Sequence, residues 1–210
     1  SLNFTNNYIE DDYVTYHDSL LRYTVKTPVT PPEMDDLIRF VRRKSKDKKE
    51  DWDYVKQFRN FFYTKNYESI NVKYLKHSDY YHFETLKEFW KDELEAYLET
   101  SYIIKEETYD NNDTLPTAHV IVTDTGSQKV IELKKIINKG LVYTISTAYN
   151  ARYPRSKFIS TFFESFTPTT DVLLGKTITV SNAPMFFADL ASGDSLRITA
   201  CKISKKHWGI

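Results

Sequence analysis

The sequence predicts an α+β domain, an antiparallel sheet with helices laid on it. Three observations lead there. Four strand-like stretches follow one another through turns between residues 102 and 148, and strands joined by short turns pair antiparallel. Two segments, 81–99 and 154–166, carry apolar residues at helical spacing. Aromatic residues make up 15% of the chain and Gly numbers only 5, which suits packed strands and helices better than long flexible loops. The same scarcity of glycine argues against phosphate-cradling Gly-rich loops.

The opening residues 1–12 (SLNFTNNYIEDD) read as a polar tether. Residues 13–27 form a hairpin around His17-Asp18-Ser19, with Leu21, Tyr23 and Val25 on one face. Pro28, Pro31 and Pro32 then stop any strand, and Pro32 suits the first position of a helix running to about Lys44, with Met34, Leu37, Ile38 and Val41 at helical spacing. Its basic tail, residues 42–49, is too polar to pack and reads as an exposed connector. A second hairpin occupies 52–76, with strands near 55–64 and 69–75 turning at Lys65-Asn66. In the helix over 81–99, Phe83, Leu86, Trp90, Leu94, Tyr97 and Leu98 make a stripe opposite Lys87, Glu88, Lys91, Asp92 and Glu95, so one face must cover a sheet.

The four strands of the meander fall near 102–108, 118–123, 129–137 and 141–148. Asp124-Thr125-Gly126-Ser127 and Asn138-Lys139-Gly140 supply the residues tight hairpin turns require. Pro154 opens the next helix, in which Phe158, Ile159, Phe162, Phe163 and Phe166 share a face before Thr167-Pro168 ends it. A helix this short and apolar must be buried. Residues 169–182 read as irregular, followed by two short helices over 184–190 and 196–205. Such a pair, apolar on one side, resembles the first unit of a helical repeat array. The expected organisation is therefore a tether (1–12), a domain (13–168) with a helix and basic connector inserted at 31–53, and a linker with a helical tail (169–210) that begins a further helical region.

Lys plus Arg equals Asp plus Glu at 29 each, so no global field steers the chain towards nucleic acid or an anionic membrane. Cys201 is the only cysteine, which removes intrachain disulfides and Cys-based zinc or redox motifs and fits cytosol and bacterial periplasm alike. No run approaches the roughly 18 apolar residues of a transmembrane segment.

Candidate chemistry is sparse. The acidic run 106–113 offers oxygen ligands, but a calcium loop counted from Asp110 needs Gly at its sixth place and Glu at its twelfth and finds Leu115 and Ile121; a solvated loop is the better reading. His77 and His82 straddle a strand-to-helix junction and read as exposed cap and surface residues rather than zinc ligands. His17, His119 and His207 stand isolated. Ser165 lies inside a helix, where a helix-surface or backbone-bonding role is expected of it, and no nucleophile is predicted. The basic run 42–49 lacks interleaved aromatics and is followed by acids, so no nucleic-acid partner is expected. Only Tyr149, Arg152, Tyr153 and Arg155 gather aromatic and basic groups, and they are the candidate contact residues for a ligand or a protein partner. No metal, cofactor or catalytic residue is expected.

The order of hairpin, strand pair, long helix, meander and Phe-rich helix, with Gly140, Tyr143 and Ile145 in the last strand and Phe163-Glu164-Ser165-Phe166 closing the helix, resembles the PsbP-like family across residues 13–168. The resemblance implies an α/β/α sandwich with a central antiparallel sheet, here carrying a short helical appendage. It also implies a non-catalytic accessory, binding or assembly module, as in a bacterial exported member of unknown role, located in the periplasm or cell envelope with its leader removed. The chain departs from the family by the insertion at 31–53, and no functional residue of the photosystem members finds a matching position. Two other readings stay open: a hydrolase or ligand-processing domain with a site assembled from scattered Tyr, His and Asp, and the N-terminal cap of a helical-repeat protein.

Overall fold

The structure is a computed structural model and describes residues 12–32, 56–77, 79–98, 102–169 and 176–192. In chain order these form β1 (Val14–Asp18), β2 (Tyr23–Thr27), β3 (Lys56–Tyr63), β4 (Ser69–Lys76), α1 (Leu86–Leu98), β5 (Tyr102–Asp110), β6 (Thr117–Asp124), β7 (Lys129–Asn138), β8 (Leu141–Asn150), α2 (Lys157–Ser165), β9 (Thr167–Pro168) and α3 (Ala183–Ala191). One sheet has six strands in the order β3-β4-β8-β7-β6-β5, and a smaller one has the order β1-β2-β9. All their pairings are antiparallel. The α+β class and the meander β5 to β8 are as the sequence predicts, and β4 extends the meander by pairing with β8. The inserted helix, the basic connector, the tether and the last tail helix lie outside the described residues.

Side chains alternate between the faces of a strand, so each face of the large sheet collects its own core. On one face Ile70, Val72, Ile136, Tyr143 and Ile145 meet the aromatic side of α2 and the buried Leu21, Tyr23 and Val25 of the small sheet. On the other, Ala118, Ile137 and Val142 meet Phe89 and Trp90 of α1, and Val120 and Val122 meet Leu94. Hydrogen bonds fasten the first of these layers. Tyr143 Oη donates to the carbonyls of Leu21 (2.9 Å) and Arg22 (3.2 Å), and Ser165 Oγ accepts from the Lys26 amide at 2.8 Å, the second of the two roles open to Ser165 from the sequence. Asn60 Nδ2 reaches Asp18 Oδ2 at 2.6 Å, so His17 and Asp18 belong to the paired strand and the turn lies at 19–22, where Arg22 takes a positive φ of 57°.

α1 begins at Leu86, later than the periodicity suggests. Thr85 Oγ1 accepts from the Glu88 amide while Glu88 Oε2 accepts from the Thr85 amide, both at 3.1 Å. That reciprocal capping satisfies two orphan donors and sets the start of the helix. Tyr81 and Phe83, freed from helical geometry, pack with Phe89 instead. The tail also docks: the Phe83 amide donates to the Ile178 carbonyl at 2.8 Å, Tyr80 Oη donates to Asp189 at 2.6 Å, and Phe186 is buried edge-on to Tyr80. Among the described residues no helix is long and apolar enough to cross a membrane.

His77 corrects the surface reading of its sequence neighbourhood. Its ring is buried, stacked 4.0 Å from Tyr81, and Nε2 has no hydrogen-bond partner among the described residues. Burial pushes its imidazole down from 6.5 to about 4, against the pull of Glu93 and with help from Lys73 and Lys135. The unfolded chain therefore takes up a proton that the folded one refuses. Stability from this residue is complete above about pH 6.5 and is lost as pH falls towards 4, by about 3 kcal/mol in all. Urea denaturation on either side of that window checks the slope, and His77→Phe, which keeps the stack, should flatten it.

Candidate functional site

A charged residue on the core side of a strand needs partners, and β7 has one. Glu132 shares its face with Ile136, and its side chain is 0% exposed. It lies opposite Thr147 of β8 and Ile121 of β6, which places His119 diagonally beside it. Arg155 immediately precedes Ser156, the residue that caps α2 by accepting the Ile159 amide at 3.2 Å. The same turn that starts α2 brings the guanidinium down to the sheet.

The carboxylate is saturated from within. Oε1 accepts from Arg155 Nη2 at 2.7 Å and contacts His119 Nε2 at 2.8 Å, while Oε2 accepts from Arg155 Nε at 3.0 Å. Burial alone would raise the Glu132 carboxyl, but the hydrogen bonds from His119 and Arg155 and the charge of Arg155 outweigh it and hold it below the usual value. An ionised carboxylate only accepts, so His119 Nε2 carries the proton. Arg155 lies 5.6 Å over the Phe163 ring, and its Nη1 is 3.7 Å from Glu164, whose side chain is 74% exposed. Lys134 donates to the Phe163 carbonyl at 2.6 Å, and burial pushes its ammonium down. Tyr149 packs half-buried against the core; burial raises its hydroxyl, the Glu132 charge adds to that, and Arg155 opposes it.

Two of the four sequence candidates therefore converge and two do not. Tyr149 and Arg155 turn inward to Glu132. Arg152 and Tyr153 ride outward on a turn in which Asn150 Oδ1 accepts the Arg152 amide at 2.9 Å and the Asn150 carbonyl accepts the Tyr153 amide at 3.0 Å. His119, isolated along the chain, and Glu132 complete the cluster. The available signal was Glu132 itself, an acid at strand spacing from Ile136 on an otherwise core-facing side.

Among the described residues no group of three or more His, Cys, Asp and Glu side chains is arranged to hold a metal ion. His119 makes no hydrogen bond to a hydroxyl among them either; its contacts are Glu132 and the Phe163 ring. The arrangement fixes a cation, an imidazole and a phenol at the edge of the core. No family model matches this chain, and no curated protein matches it.

Proposed function

We propose that this chain is a non-catalytic binding or assembly domain that meets a protein partner around Arg155, His119, Tyr149 and the adjoining turn with Arg152 and Tyr153. One observation carries the reading: both oxygens of the buried Glu132 are spent on holding Arg155 and His119 in place. A carboxylate engaged in this way is a strut that preorganises a contact surface, and preorganisation lowers the cost of binding. Glu164 holds the remaining edge of Arg155 loosely, so an acidic group of the partner is the natural competitor for it. Charge complementarity of this kind supplies specificity and speed of association.

The PsbP-like fold and a location outside the cytoplasm belong to the same proposal. The fold reading is supported by the order of elements and by Phe163 and Phe166 packing in the core against the sheet, and the location rests on the resemblance alone. A hydrolase is favoured by one feature only, the imidazole oriented by a carboxylate, which is the base-orienter half of a nucleophilic site.

A photo-crosslinking residue at Tyr153 in the full-length protein, in its native cells, tests the proposal. A discrete protein adduct is expected at Tyr153, abolished by Arg152→Glu and missing when the probe replaces the exposed Val14 on the other sheet. No adduct at Tyr153, together with ester or phosphoester turnover that His119→Ala removes without unfolding the protein, would establish the hydrolase instead. Fractionation of the same cells checks the compartment.

A further inference from the structure

The hairpin between β3 and β4 closes on a turn of fixed shape. The Tyr67 amide donates to the Thr64 carbonyl at 3.1 Å, the Thr64 amide to the Glu68 carbonyl at 3.0 Å, and the Glu68 amide to Thr64 Oγ1 at 3.2 Å. Tyr67 takes a positive φ of 63°. A three-residue hairpin loop needs one residue in this left-handed conformation, and glycine is its ordinary occupant because it has no Cβ to clash. A tyrosine in that place costs folding free energy.

Nothing among the described residues offsets the cost. The Tyr67 ring is 93% exposed, and its side chain makes no hydrogen bond or ring contact among them. The same conformation at Arg22 and Lys139 belongs to turns built into the fold: the Arg22 carbonyl accepts from Tyr143 Oη and from the Thr169 amide, and Lys139 is half-buried between β7 and β8. Tyr67 instead stands clear of the core. Strain kept at an exposed side chain points to a contact made outside the chain.

The position of the tip says where that contact belongs. Thr147 Oγ1 donates to the carbonyl of Ser69, the first residue of β4, at 2.8 Å, and β8 runs on from Thr147 to Asn150. The hairpin tip and the turn with Arg152 and Tyr153 therefore lie at the same end of the sheet. Tyr63, opposite Ser69 and stacked on Phe61, is 58% exposed at the foot of the same hairpin. Tyr63, Tyr67 and Tyr153, each more than half exposed, thus share one end of the molecule. Tyrosine presents a large rigid surface at low entropic cost, and interface anchors are enriched in it.

Glu68 sets the chemistry of what meets the tip. It is half-buried and has no ion pair among the described residues, and its Oε2 is shielded from solvent without a hydrogen-bond partner there. A guanidinium answers both the bare ring and the carboxylate, because it stacks flat on an aromatic face and donates in a fork.

We propose that Tyr67 anchors the interface with the protein partner and that the partner seats an arginine there, stacked on the Tyr67 ring and paired with Glu68. The proposal rests on the partner-binding reading of the surface around Arg155 and extends it to a second element. The partner then carries charges in a fixed order, an acid facing Arg155 and a base facing the hairpin tip, and that order rejects surfaces with either sign reversed.

The photo-crosslinking residue p-benzoylphenylalanine, placed at Tyr67 or at Tyr153 of the full-length protein in its native cells, keeps a ring at each position. The same protein adduct is expected from both, with the Tyr67 crosslink mapping to a partner segment that contains arginine. Tyr67→Gly should lower the Tyr153 adduct at least about tenfold, Glu68→Lys should do likewise, and Tyr67→Phe, which keeps the ring, should retain it. Purified Tyr67→Gly should melt no lower than the parent, since the left-handed turn no longer carries a Cβ, and this separates loss of binding from loss of fold. An adduct at Tyr153 with none at Tyr67, an undiminished Tyr153 adduct in Tyr67→Gly, or a crosslinked segment without arginine overturns this proposal and leaves the partner reading standing. So does a lower melting temperature, which would mean that the ring acts inside the chain, or a Tyr67 adduct joining two copies of this chain. No adduct at either position overturns both.

Discussion

Replacing Arg155 by alanine is expected to cost roughly 3 to 5 kcal/mol of folding stability, the range for breaking a buried ion pair from one side. Glu132 would keep a single partner, His119, in a position where its carboxylate has no access to water. The converse change is milder. Glu132→Gln leaves Arg155 and His119, whose side chains are 29% and 36% exposed, able to draw on solvent. Arg155→Lys should restore only part of the loss, because an ammonium cannot reproduce the paired Nε and Nη2 contacts.

The pH dependence separates this account from simple loss of packing. In the parent, Glu132 titrates below its ordinary 4.5, so the stability it contributes is complete above that value and is lost as pH falls through the depressed one. With Arg155 gone, burial dominates and raises the carboxyl, so acidification neutralises it and relieves part of the damage. Denaturant titrations of parent and variant between neutral and acid pH should therefore show slopes of opposite sign in the contribution of this residue. Identical slopes would mean that the ion pair does not govern the site.

Phe162→Ala is the second large effect, expected to cost roughly 3 to 5 kcal/mol. The side chain is fully buried, 4.8 Å edge-on to Phe62 of β3, with Phe158 and Phe166 on either side at 6.1 and 6.5 Å. Deleting it opens a void where α2 meets the sheet, and the surrounding rings, held by β2 and β8 as well, cannot close in fully. Thermal denaturation measures the loss. A change near zero would show that α2 is not seated on this face.

The strands of the meander are legible because residues 124–127 and 138–140 supply turn residues that divide the segment into strand-length pieces. The Phe158 to Phe166 face was legible from a 3.6-residue period over two turns. The N-terminus of α1 was misjudged because two polar side chains, Thr85 and Glu88, end the helix through backbone hydrogen bonds that hydrophobic periodicity does not register. His77 was misjudged because the rings that bury it, Tyr81 and Phe89, come from a following loop and helix that fold back over the end of β4.

The Glu132 cluster shows where local reading stops. Within the chain, Glu132 is one charged residue in a strand and His119 an isolated imidazole. Class of structure, element boundaries to within a few residues and the apolar faces follow from short-range periodicity, since each element must bury its own stripe. Which charges meet follows from strand order and register, in which β4 pairs with β8 across about 70 intervening residues. Those are set by the joint packing of both faces of the sheet, a long-range balance of burial against chain entropy that no single segment encodes.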